Sequence, residues 1–261
     1  MTIYQIDAFT DRPFSGNPAA VCISTGPLDT ERMQSIATEM NLPETAFLHP
    51  STGGYNLRWF TPEVEVDLCG HATLASAYVL WDRAYLMPNA TATFQTRSGI
   101  LKANREGDWI SMQFPREEDE PMKNSEQLAD ALGARTLYTG KNRMDYIVEV
   151  ESEAVLRAID PDLTKIEKMH ARGVIVTSRS SIPEYDFISR FFSPATGVPE
   201  DPVTGSAHCC LGPYWQRKLN RDSFTAYQAS LRGGVVKVRM NGDHVFLSGQ
   251  AVHMFTAEIQ I

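Results

Sequence analysis

Several signatures of common function are missing from this 261-residue sequence. It has no GxGxxG, Walker A, HExxH or GxSxG pattern, which removes support for dinucleotide binding, phosphate-loop chemistry, zinc hydrolysis and the usual serine hydrolase route. Its four cysteines, Cys22, Cys69, Cys209 and Cys210, form no CxxC pair and keep no regular spacing, so reduced thiols are expected rather than a disulfide framework. No run of about eighteen apolar residues occurs, and no membrane span is expected. Basic clusters are absent too. With a formal charge of −8 and no stripe of Lys and Arg, the chain lacks what phosphate neutralisation requires, and no nucleic-acid partner is expected. The N-terminus alternates like a strand, without the charged start and apolar stretch of a signal peptide, so the expected compartment is the cytoplasm.

What is present describes an ordinary globular protein, 43% apolar and 21% charged, at a length where one core commonly divides into two. Residues 2–24 read as two strands joined by a turn at 11–18, where glycine, proline and asparagine concentrate. Met33, Ile36, Ala37 and Met40 follow at helical spacing after a candidate cap at Asp29, giving a helix that ends near Asn41. Glu44 then opens a short apolar strand. From Gly70 to Trp81 no charge occurs apart from a protonated His71, so a helix there is apolar nearly all round and belongs in the centre of a domain. Strands near 91–96, 101–104 and 109–114 lead to an acidic, proline-containing stretch at 115–121, the best linker candidate.

The second half repeats this order. Tyr55–Pro62 is answered by Tyr185–Pro194, and Gly70-His71-Ala72, ending at Trp81, by Gly205-Ser206-Ala207, ending at Trp215, at an offset of about 130 to 135 residues. The expected architecture is two copies of one strand-rich unit, each wrapped around a central helix. Gly212 and Pro213 should kink or shorten the second of these helices.

Each central helix starts at a glycine, where free N–H groups and the positive end of the helix dipole attract carboxylates. Beside these starts lie Asp201 in the second half and Glu65 and Asp67 in the first, while Glu44 begins a strand in apolar surroundings. A partly buried carboxyl is suited to taking and returning a proton near neutral pH. Read alone, Glu44 is more simply a strand-end glutamate open to water, and His71 an ordinary hydrogen-bonding histidine. His208, Cys209 and Cys210 invite a metal reading, but adjacent helical side chains point about 100° apart and cannot all face one ion. Core packing accounts for them better, and no metal is expected.

Four motifs in order carry a resemblance. The segments Asp7-Ala8-Phe9-Thr10 with Phe14-Ser15-Gly16-Asn17-Pro18, Asn41-Leu42-Pro43-Glu44-Thr45, Asp67-Leu68-Cys69-Gly70-His71-Ala72-Thr73, and Glu200-Asp201-Pro202-Val203-Thr204-Gly205-Ser206 resemble the PhzF-like family of phenazine biosynthesis proteins over essentially the whole chain. Pro43 stands where many relatives carry serine.

The resemblance implies an α/β (α+β) diaminopimelate epimerase-like fold: two pseudo-symmetric domains, each a curled, barrel-like, mostly antiparallel sheet around a central helix, with the active site in the cleft between them. Domains of 1–116 and 117–251 follow, with a return of the last strand, about 252–261, to the first domain allowed. By the same resemblance Glu44, Asp201 and His71 are catalytic, Gly70, Gly205 and Ser206 bind substrate, no cofactor is needed, and the chain is a homodimer acting on a small-molecule carboxylate. Related racemases oppose two cysteines, one at each helix start. This chain keeps only Cys69 at such a start, which favours proton transfer by Glu44 along one face over inversion. A racemase or epimerase pairing Cys69 with a carboxylate, and a non-catalytic binding protein on the same fold, are the alternatives.

Overall fold

A computed structural model describes residues 1–123 and 126–260. The first elements in chain order are β1 (Thr2–Ala8), β2 (Asn17–Ile23), α1 (Thr30–Met40), β3 (Glu44–Ser51), β4 (Gly54–Phe60), β5 (Glu65–Val66) and α2 (Gly70–Asp82). Then come β6 (Ala92–Thr96), β7 (Gly99–Glu106), β8 (Trp109–Pro115), β9 (Glu120–Pro121), α3 (Glu126–Leu132), β10 (Thr136–Lys141), β11 (Asp145–Val150), α4 (Glu153–Ala158) and α5 (Leu163–Glu167). The last are β12 (Gly173–Arg179), β13 (Phe187–Phe192), α6 (Gly205–Leu219), β14 (Ser223–Gln228), β15 (Gly234–Asn241), β16 (His244–Gly249) and β17 (Ala251–Glu258). The chain divides into two compact units, Met1–Gln113 with Ser248–Ile261, and Phe114–Leu247. Position 261, the end of the stretch expected as a last strand, lies outside the described residues. Among the described residues no helix is long and apolar enough to cross a membrane.

In the first unit β17 pairs antiparallel with β1, β1 antiparallel with β2, β2 parallel with β3, β3 antiparallel with β4, β4 parallel with β6, and β6 antiparallel with β7. In the second unit β9–β10 and β10–β11 are antiparallel, β11–β12 parallel, β12–β13 antiparallel, β13–β14 parallel and β14–β15 antiparallel. The two successions of pairings are identical. The helices fall at matching places: α1 joins β2 to β3 as α4 and α5 join β11 to β12, and α2 precedes β6 as α6 precedes β14. The repeat legible in the sequence is therefore a repeat of topology. Strand β7 pairs antiparallel with β8, and among the described residues no pairing joins β8 to β17, so the sheet of the first unit is curled but unclosed.

Apolar surface on both faces explains the strand sequences. Ala20, Cys22, Ile3, Phe47 and Phe60 form one core layer with Met33, Ile36 and Ala37 of α1. Helix α2 lies against β1, β2, β3 and β17, and ten of its thirteen residues are buried, as its lack of charge requires. Strand β12 is likewise buried on both faces: Val174 and Val176 join the layer under α3 to α5, while Thr177 accepts the Trp215 indole N–H from α6.

One expectation is corrected. Helix α6 is not shortened at Gly212-Pro213 but runs on to Leu219. Proline removes the N–H that would bond the carbonyl four residues back, and that carbonyl, of Cys209, accepts the Glu117 N–H at 3.1 Å instead. Gly212 has a positive function: a Cβ there would lie 2.8 Å from Met240 Sδ and 3.1 Å from Val238 Cγ1, so the missing side chain lets α6 pack closely on β15.

Candidate active site

Three chemically competent side chains meet in the first unit. Glu44 is delivered by the first residue of β3, immediately after the turn at Asn41–Pro43, and its side chain is 20% exposed. Cys69 is the N-cap of α2 and His71 its second residue; both are buried. The imidazole stands between the other two groups, with Nε2 3.1 Å from Glu44 Oε2 and Nδ1 3.6 Å from Cys69 Sγ. Asn17, the first residue of β2 and fully buried, places its Nδ2 3.2 Å from the same Nδ1. The His71–Glu44 approach is close, yet neither Nε2 nor Oε2 makes an aligned hydrogen bond although both atoms are buried. Such groups are costly to leave unmatched, and a bound polar group would satisfy them.

Electrostatics follow from burial and proximity. Burial raises the pKa of the Cys69 thiol, the charge of Glu44 adds to the rise and His71 opposes it, so Cys69 is a thiol at neutral pH. Burial acts to lower the pKa of His71, but Cys69 and Glu44 outweigh it and hold it well above the ordinary histidine value. Since Cys69 stays neutral, we assign the rise to Glu44.

The donor atoms of Glu44, Cys69 and His71 lie within 4.8 Å of one another, a spacing that also suits a metal ion. The orientation of the ring argues otherwise. Its two nitrogens face different partners, and one ion takes the lone pair of only one of them. The arrangement suits proton traffic through the imidazole better than a metal cage.

In the second unit Asp201 lies in the loop before α6, Gly205 is that helix's first residue and Ser206 its second. The buried Gln228 side chain bridges the loop: it accepts the Thr204 N–H at 2.8 Å and donates Nε2 to the Asp201 carbonyl at 2.7 Å and to Thr204 Oγ1 at 3.2 Å. Thr204 donates its hydroxyl to the Asp201 carboxylate. Neither N-cap side chain, Cys69 or Thr204, makes a capping hydrogen bond to its helix.

The other candidates take ordinary places. Glu65 is bound by Arg58, whose hydrogen bond lowers its pKa, and by Arg97. The Asp67 side chain is 76% exposed. His208, Cys209 and Cys210 are buried in the core of the second unit. Sequence reasoning did not single out Asn17 and Gln228, which the structure places against His71 and the Asp201 loop. Asn17 had a signal, its place in Gly16-Asn17-Pro18 after a turn. Gln228 had none.

A twofold-repeated α/β fold with a carboxylate, an imidazole and a thiol gathered at the start of a buried helix defines a candidate acid–base site. A hydroxyproline epimerase from Agrobacterium vitis with bound trans-4-hydroxy-L-proline has the same fold, at TM-score 0.64, 10% identity, and coverage of 98% of this chain and 91% of that one. The particular family is fixed by closer matches. The family described as phenazine biosynthesis-like protein matches residues 6–257. An uncharacterized isomerase of Halalkalibacterium halodurans is 55% identical over 260 residues, spanning 98% of this chain and 97% of that protein. The crystal structure of a PhzF-family phenazine biosynthesis protein from Enterococcus faecalis superposes at TM-score 0.96 with 37% identity, covering 100% of this chain and 99% of that one. The chain belongs to the PhzF family, whose curated relatives include named isomerases, and it falls in that isomerase kind of enzyme.

Proposed function

We propose that the protein is a cofactor-free isomerase in which Glu44 moves a proton on a small carboxylate-bearing substrate with an amino or hydroxyl substituent. The observation that carries this reading is the Glu44–His71 pair, 3.1 Å apart, in which both facing atoms are buried without an aligned hydrogen bond. In the proposed reaction the Glu44 carboxylate takes a proton from a carbon next to, or conjugated with, the substrate carboxylate. The resulting carboxylic acid returns that proton to another carbon of the same π system, so no proton is gained or lost. In the first unit His71 holds the substituent and Gly70 offers a donor to the carboxylate as charge grows on it; in the second unit Asp201, Gly205 and Ser206 are proposed as substrate-binding residues. Cys69 is a poor second base because burial keeps it protonated, which argues against two-base inversion. The assembly we propose is a homodimer, which sedimentation of the purified protein tests.

A thermal-shift screen of small amino and hydroxy carboxylic acids identifies substrates without assuming the reaction. On the substrate found, Glu44→Gln should lower kcat about 10²- to 10⁴-fold, the range of one general acid–base group, with KM little changed. Unaltered turnover would remove Glu44 from its role. Exchange of the α-proton with deuterated solvent on both antipodes of an amino acid would instead establish an epimerase.

A further inference from the structure

Asn17 faces His71 across the ring from Glu44. With the amide placed nitrogen-first, a donor with no lone pair to offer meets Nδ1 at 3.2 Å, which makes Nδ1 the acceptor. Above its raised pKa the His71 ring is neutral and carries one proton, and with Nδ1 accepting, that proton sits on Nε2, the nitrogen 3.1 Å from the Glu44 carboxylate. We propose that Asn17 is a positioning residue that sets the tautomer of the neutral His71 ring, keeping its one proton on Nε2, the nitrogen on the Glu44 side, where an entering substrate atom can accept it. The reverse tautomer would put two lone pairs against each other at Nε2 and Oε2. It would also set the Nδ1 proton against the Asn17 amide protons.

The chain around Asn17 is built to keep it there. The loop between β1 and β2 is tied down by the Phe14 N–H, which bonds Asp7 Oδ2 at 2.9 Å, and Asp7 is buried. Gly16 turns at φ +67°, where a Cβ would stand 2.1 Å from the Ala8 carbonyl oxygen, so the approach to Asn17 admits only glycine. Asn17 then pairs with Ala8 in the β1–β2 ladder. The Cys69 thiol also reaches Nδ1, at 3.6 Å, but S–H is a weaker donor than an amide N–H.

This inference rests on the proposed chemistry of Glu44 and His71, but its main readout needs no substrate, so the two can fail separately. In ¹⁵N-histidine-labelled protein without ligand, long-range ¹H–¹⁵N NMR on the alkaline side of the His71 titration reports which nitrogen is protonated, with His71→Gln assigning the signal. The wild-type ring should carry its proton on Nε2; a proton on Nδ1 overturns the proposal with no variant needed. Asn17→Asp supplies only acceptors and should move the proton to Nδ1, and Cys69→Ala should leave it on Nε2. A folded Asn17→Asp protein with an unmoved proton, or a shift in Cys69→Ala, would assign the tautomer to another group. With a substrate in hand, Asn17→Leu should lower kcat about 10- to 100-fold, as loss of an orienting partner does, and change KM far less.

Discussion

His208 and His71 are both buried near helix starts, yet their surroundings treat them in opposite ways. The His208 Nδ1 lies 2.8 Å from the Thr204 carbonyl, which can only accept, so Nδ1 carries the proton and Nε2 is a bare lone pair in the core. Burial pulls its pKa down to about 4, against 6.5 for an ordinary histidine. The folded protein therefore binds fewer protons at this ring than the unfolded chain does. The stability this contributes is complete above about pH 6.5 and is lost as pH falls through about 4, on the order of 3 kcal/mol at 1.36 kcal/mol per unit. Urea unfolding at pH 7 and pH 4.5 should show a larger acid loss in wild type than in His208→Gln; equal losses would contradict the assignment. Gln228 makes a second test at this scale. Gln228→Leu strands the buried Thr204 N–H, at a cost of about 1–3 kcal/mol, and should raise KM for the substrate more than it lowers kcat.

Among the elements, those specified by neighbours in sequence were readable in advance. Helix α1 begins where Asp29 accepts the Arg32 N–H and ends at Asn41 in the left-handed region, and both signals sit within the helix's own sequence. The expected shortening of helix α6 did not occur because the effect of Pro213 depends on Glu117, far back in the chain, which takes up the freed Cys209 carbonyl. The site divides in the same way. Glu44 and His71 came from ordered motifs, whereas the contact of Asn17 with His71 arises only when β2 is laid beside β3 and α2. Gly212→Val tests the close packing of α6 on β15. Added methyl groups would meet Met240 and Val238, and overpacking should cost about 1–3 kcal/mol in denaturant unfolding. An unchanged midpoint would mean that β15 yields.

At the scale of the whole molecule, the second unit is one continuous stretch of chain, while the first is completed by residues from the C-terminal end. Strand β17 pairs with β1 from Thr2↔Glu258 to Ala8↔Ala251, and the Met1 amino group donates to the Ile259 carbonyl at 2.8 Å. A chain ending at Gln250 loses that ladder. Its amide hydrogen exchange should quicken throughout residues 1–113 while residues 114–247 keep their protection. Uniform protection would mean that β1 is held by β2 alone.

That discontinuity orders events on the ribosome. Domains form as units while the chain emerges, and the second unit has all of its residues outside before the final strand does. Until β17 is released, β1 has an open edge, the kind of surface that recruits stray strands. Glu44, Cys69 and His71 thus lie in the unit that is completed after the second one, although their codons are translated before it. A truncated translation product would carry every residue of this cluster and still lack the strand that completes the unit around it.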